Sequence, residues 1–196
     1  HYADLVPRVV EHVADALTGD PVADVATVRA ALRAACRQLH ADDELQSLRR
    51  SLLGLAIDAD LVLDLHSDNE AVLHLYTATP LWPEVEPLAR LLGTEIDLVA
   101  TASGDEPFDE ACSMVWPRLA LALSQRLGRT VALPAACVAV TVELRGETDV
   151  DHALAARDAQ AIVDWLVLRG FVAGDAPRLP PARPAPWPLA GCLPLT

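Results

Sequence analysis

Leu61-Val62-Leu63-Asp64-Leu65-His66-Ser67-Asp68-Asn69-Glu70 is the stretch on which the reading of the fold turns. Leu61 to Leu65 form a short apolar run broken by one acid, a length and composition that suit a buried strand, and polar residues follow. In open α/β sheets ligand-bearing loops sit at the carboxyl ends of strands, because the strand aims the loop while the crevice beyond stays open. His66 is therefore placed where a metal ligand or a general base is useful, and Asp64 where a carboxylate can orient that imidazole. Spacing alone equally allows a polar loop that merely follows a strand.

Upstream of this stretch the pattern is helical. Leu5, Val9, Val13, Ala16 and Leu17 recur at helical spacing until Gly19-Asp20-Pro21 stops the run. A second helix is expected from about Val25 to Leu39, with Arg29, Arg33 and Arg37 as a solvated stripe, and a third from about Glu44 to Ala56. Downstream, Ala71 to Tyr76 reads as a strand, Pro83 to Leu92 as a helix ended by Gly93, and Ile96 to Ala100 as a strand. Ser103-Gly104-Asp105 reads as a turn, and Phe108 to Leu127 as one long helix with Pro117 as a kink or break. Val138 to Leu144 alternates like a strand, and Asp151 to Leu168 is an amphipathic helix closed by Arg169-Gly170. Strands alternating with helices predict an α/β layer architecture with helices on both faces of a sheet.

Composition narrows the function. The chain has 28 acids against 15 bases, a formal charge of -13, and every base is arginine, which argues against a phosphate-backbone partner: nucleic-acid binding needs a basic patch. Apolar stretches such as Arg118 to Leu127 fall well short of the ~20 residues a membrane span requires. The N-terminus shows no basic region followed by an apolar core, and a cytoplasmic location is the expectation. Cys36, Cys112, Cys137 and Cys192 stand far apart in apolar contexts and read as buried thiols. Seven prolines between Pro177 and Pro194 mark residues 176–196 as a linker or extended strap.

The segment from Val62 through Asp64-Leu65-His66 to Thr77 resembles the DLH segment of the succinylglutamate desuccinylase/aspartoacylase family, within the zinc carboxypeptidase superfamily. Ser103-Gly104, Phe108-Asp109-Glu110-Ala111, Thr141-Val142-Glu143-Leu144-Arg145-Gly146, the helix start at Asp149-Val150-Asp151 and the closing Pro188-Leu189-Ala190-Gly191 follow in the same order. The resemblance implies a zinc-carboxypeptidase-like mixed sheet with helices on both faces. It implies a zinc-dependent deacylase that cleaves the amide, or an ester, of a small N-acyl amino acid, with His66 as a metal ligand and Glu143 as general base. Zinc would acidify water and polarise the scissile carbonyl, and a carboxylate beside it would shuttle the proton. Arg145, two residues beyond Glu143, is a candidate to bind a substrate carboxylate bidentately. His74 reads as a core histidine sharing a face with Tyr76, and His12, His40 and His152 as solvated.

The sequence departs from the family in lacking an early His-x-x-Glu segment and the strand that precedes it. A catalytic zinc usually takes three protein ligands, and His66 alone does not hold one. The expectation is a partial catalytic α/β domain over residues 1–175, its first strand or strands missing, with 176–196 leading toward an absent β-rich domain. A non-catalytic binding module that retains the fold is the alternative reading. A hard-oxygen cation site from Asp64, Asp68 and Glu70, favouring Mg or Ca, is a weaker one. Oligomeric state is not legible.

Overall fold

The computed structural model describes residues 5–101 and 107–189. The turn expected at Ser103-Gly104-Asp105, the Ser103-Gly104 match, Ala190-Gly191 and Cys192 lie outside the described residues. In chain order the elements are α1 (Leu5–Val13), α2 (Pro21–Arg37), α3 (Glu44–Ala56), β1 (Leu61–Asp68), β2 (Leu73–Ala78), α4 (Trp82–Leu92), β3 (Ile96–Ala100), α5 (Phe108–Ser113), α6 (Val115–Leu127), β4 (Val138–Gly146), α7 (His152–Leu168) and β5 (Trp187–Pro188). They divide into two compact units, one drawn from His1–Val62 and Gly104–Ala139, the other from Leu63–Ser103 and Val140–Thr196.

The first unit is helical, with Leu5, Leu32, Leu53, Trp116, Leu119 and Leu123 fully buried at its core. Its turns follow local chemistry. Asp20 caps α2 by accepting from the Ala23 amide at 2.8 Å, and Pro21, whose missing N–H is no loss at a helix start, begins the helix earlier than Val25. Asp24, buried in the first turn of α2, accepts from the Thr18 amide at 2.7 Å, the Thr18 hydroxyl at 3.0 Å and the Gly19 amide at 3.0 Å. These donors close the α1–α2 turn, so α1 ends at Val13 rather than Leu17. The helix expected from Phe108 to Leu127 is two helices that meet at Met114; Pro117 falls in the first turn of α6, where no intrahelical partner for its nitrogen is needed. Two members of the arginine stripe of α2 are also paired: Arg29 donates to Asp60 at 2.6 Å and to the Ala136 carbonyl at 2.7 Å, and Arg33 to Asp58 at 2.6 Å, while Arg33 and Arg37 stay exposed as expected. Cys36, Cys112 and Cys137 are buried thiols outside any disulfide, and desolvation pushes the Cys137 thiol up to about 12.

The second unit carries the sheet, in the order β1-β4-β2-β3-β5. β2 pairs parallel with β3 and antiparallel with β4, and β3 pairs parallel with β5, so the sheet is mixed. Alternation puts Leu73, Leu75 and Thr77 on one face of β2, against Leu144, Val142 and Val140; Leu75, Val140 and Val142 expose nothing. The opposite face holds His74 and Tyr76, against Glu143 and Thr141. α4 packs on α7, where the buried Trp165 indole donates to the Glu84 carbonyl at 3.2 Å and Arg169 pairs with the Glu84 side chain. Gly93, at φ 70°, ends α4 in the left-handed conformation that favours glycine.

Residues 176–186 have no regular structure and lead into β5. They are tied down at points: Arg90 Nε donates to the Pro180 carbonyl at 2.6 Å, and Arg183 Nε to the buried Asp97 carboxylate at 3.1 Å.

Candidate functional site

β1 is longer than its apolar run. It continues to Asp68, and from Leu65 onward it is exposed, so His66 lies within the strand rather than in a loop after it. The physical reason is its position at one end of the strand order: an edge strand needs no apolar residues on its open side. Residues two apart on a strand share a face. Asp64 Oδ1 accordingly stands 2.9 Å from His66 Nε2, with the His66 side chain 48% and the Asp64 side chain 25% exposed. The second ring nitrogen, Nδ1, has no partner among the described residues. A carboxylate on one ring nitrogen fixes the tautomer and leaves the other free to ligate, the arrangement common around metal-bound histidines.

Asp68 Oδ1 accepts from the Asn69 amide at 2.7 Å. No group of three or more His, Cys, Asp or Glu stands close enough to hold a metal ion among the described residues. Asp64, Asp68 and Glu70 therefore do not assemble a hard-oxygen site there. His66 fits as one ligand of a zinc, but the described residues do not complete the set. His12 caps its own helix through the Arg8 carbonyl, His40 pairs with Asp42, and His152 is exposed at the start of α7.

β4 supplies the acid. Glu143 stands directly across from His74, and its Oε2 is buried without a hydrogen-bond partner. His74, 8% exposed, is held at both ring nitrogens, Nδ1 2.7 Å from the Val72 carbonyl and Nε2 3.2 Å from the Tyr76 hydroxyl.

The end of β4 is irregular. The Val138 amide donates to the Asp60 carbonyl and the Glu147 amide to the Asp68 carbonyl, so between these bonds β4 advances one residue more than β1. Arg145, at φ 81°, is the residue that absorbs a surplus of this kind, as in a β-bulge. Its guanidinium is held by Asp158 of α7, with Nη1 to Oδ2 at 2.6 Å and Nη2 to Oδ1 at 3.2 Å. This hydrogen bond, with the carboxylate charge, raises the already high pKa of Arg145 against the opposing effect of burial. Next to it, a Cβ on Gly146 would meet the Asn69 carbonyl oxygen at 3.1 Å, so glycine lets β4 approach the end of β1. Asp158 had no signal in the sequence beyond its place on an amphipathic helix.

No protein-family model and no curated protein matches the sequence. Solved structures do. A succinylglutamate desuccinylase/aspartoacylase family protein from Shewanella amazonensis matches with a TM-score of 0.71 and 26% identity, over 88% of this chain and 46% of its own. The chain carries the succinylglutamate desuccinylase/aspartoacylase fold. A second protein, described as a succinylglutamate desuccinylase/aspartoacylase and from Shewanella frigidimarina, gives 0.70 and 27%, over 92% of this chain and 46% of its own. The chain thus spans about half the length of these desuccinylase/aspartoacylase structures. No helix among the described residues is long and apolar enough to cross a membrane.

Proposed function

We propose that this chain forms part of a hydrolase that cleaves the amide, or an ester, of a small N-acyl amino acid, with Glu143 as the general base. The observation that carries the reading is the buried, unpartnered Oε2 of Glu143, on a strand of the desuccinylase/aspartoacylase fold. A carboxylate oxygen that accepts from no donor in the protein keeps its lone pairs for the proton of a water. Glu143 takes that proton from the water that attacks the acyl carbonyl and returns it to the departing amine, so hydrolysis closes without an external acid. His66, oriented by Asp64, is the one described residue placed to ligate the zinc that the resemblance implies. When bound, that metal supplies Lewis-acid polarisation of the carbonyl; its remaining ligands come from outside the described residues. Arg145, committed to Asp158, enters this proposal as an anchor of the strand end rather than as a clamp for a substrate carboxylate.

The test compares wild type with Glu143→Gln for amine release from N-acetyl and N-succinyl amino acids, with zinc content measured on the same samples. Loss of turnover at unchanged zinc supports the reading. Retained turnover removes Glu143 from the mechanism. Absence of both zinc and turnover in wild type favours a binding module on the same fold.

A further inference from the structure

His74 is the residue a buried carboxylate at position 143 should find. Directly opposed residues of an antiparallel pair have Cβ atoms only ~5 Å apart, and histidine is the nearest side chain in the register able to donate. A carboxylate oxygen buried without a donor is disfavoured, so a His74–Glu143 hydrogen bond is the low-energy default. The structure does not make it. Nδ1 of His74 faces the Val72 carbonyl, which only accepts, so Nδ1 carries the ring proton. In the neutral ring Nε2 is then an acceptor, and it is occupied by the Tyr76 hydroxyl, with the two rings edge to face at 73° and 5.2 Å between centroids. His74 has no N–H left for Glu143.

We infer that Tyr76 is a positioning residue for Glu143: by donating to Nε2 it keeps His74 from pairing with the carboxylate, and so leaves Oε2 open to the proton of a water. The inference rests on Glu143 being the base. It assigns a purpose to the buried His74 and the half-buried Tyr76, polar side chains on the less covered face of the sheet. Removing the hydroxyl frees Nε2, which takes a proton from solvent, and the imidazolium that results pairs with Glu143.

Nitrogen-15 NMR of the His74 ring tests this without substrate or metal. Wild type is expected to show Nδ1 protonated and Nε2 bare at neutral pH, Tyr76→Phe both nitrogens protonated, and the Tyr76→Phe/Glu143→Gln double variant Nε2 bare again. In the hydrolytic assay kcat of Tyr76→Phe falls by roughly the 10²-fold or more that a general base contributes, at little change in KM. Adding His74→Leu to Tyr76→Phe recovers most of that loss, because leucine cannot donate; a purely structural role predicts that the second substitution makes matters worse. A bare Nε2 in Tyr76→Phe overturns the inference, and so does a double variant no better than the single one. If instead the ring responds as expected while Glu143→Gln keeps full turnover, the His74 device stands and the catalytic assignment of Glu143 falls.

Discussion

On the proposed reading, Glu143 is a single side chain that sets stability against activity. Its Oε2 is buried with no donor, so removing the charge at constant shape relieves a desolvation penalty. Glu143→Gln is expected to unfold at a denaturant midpoint equal to or above wild type, with a gain of about 1 kcal/mol at most, while turnover disappears. A midpoint well below wild type means that the carboxylate is paired in solution. His66 is the converse case, half exposed and free of packing duties, so His66→Ala should leave the fold intact and lower zinc content per chain; unchanged metal removes it as a ligand. His66 and Glu143 are singled out in the sequence by the motif resemblance, whereas the contact of Asp64 with His66 emerges only in the structure, where residues two apart on β1 share a face. The opposition of His74 and Glu143 was not, since register depends on how strands meet, and no residue type along β2 or β4 announces it.

Among elements, the ends proved harder to read than the middles. α3 and β3 fall where periodicity put them, because Asp43 caps α3 by accepting from the Gln46 amide at 2.7 Å and β3 is a compact apolar run. β1 was read three residues short because its exposed half has no apolar signal. α5 and α6 were fused because Pro117 is tolerated in a first turn as well as in a kink. Side-chain anchors at element ends should carry large energies. Arg145 and Asp158 have side chains only 14% and 7% exposed, so Asp158→Ala strands a buried guanidinium and is expected to destabilise by about 3 kcal/mol, measured by urea denaturation. Asp24 gives a pH signature. The Thr18 amide, first among its donors, holds its carboxyl below the usual range against the opposing effect of burial. Its contribution is present above the unfolded pKa of ~3.9 and fades as pH falls through the lower folded value. The stability gap between wild type and Asp24→Asn should therefore be full at neutral pH and narrow below that window; a gap independent of pH contradicts the assignment.

At the scale of the whole molecule, the mixed α/β architecture was legible from the alternation of strand and helix patterns, and the likeness to the desuccinylase/aspartoacylase structures from an ordered set of short motifs. The order β1-β4-β2-β3-β5 was not, because a late strand inserting between two early ones leaves no local trace in the sequence. The proline-rich segment was read as linker or strap from composition alone, and its contacts depend on Arg90 and Arg183, which are far from each other in sequence. Because β5 occupies the free side of β3, deleting the chain after Asp175 bares that strand's backbone and should promote self-association, read by light scattering; a monodisperse truncated protein would show that β3 needs no cover.

The same strap offers a trypsin-type protease a single cleavable bond. The sequence has no lysine, so a trypsin-type enzyme acts on it only after arginine. Arg183 is followed by Pro184, a bond such enzymes leave alone, whereas Arg178 is exposed and followed by Leu179. A cut at Arg178 leaves Pro180, Arg183 and β5 held to the helix and sheet by noncovalent contacts alone, so whether that piece stays bound after a brief digestion reports how firmly the strap is docked.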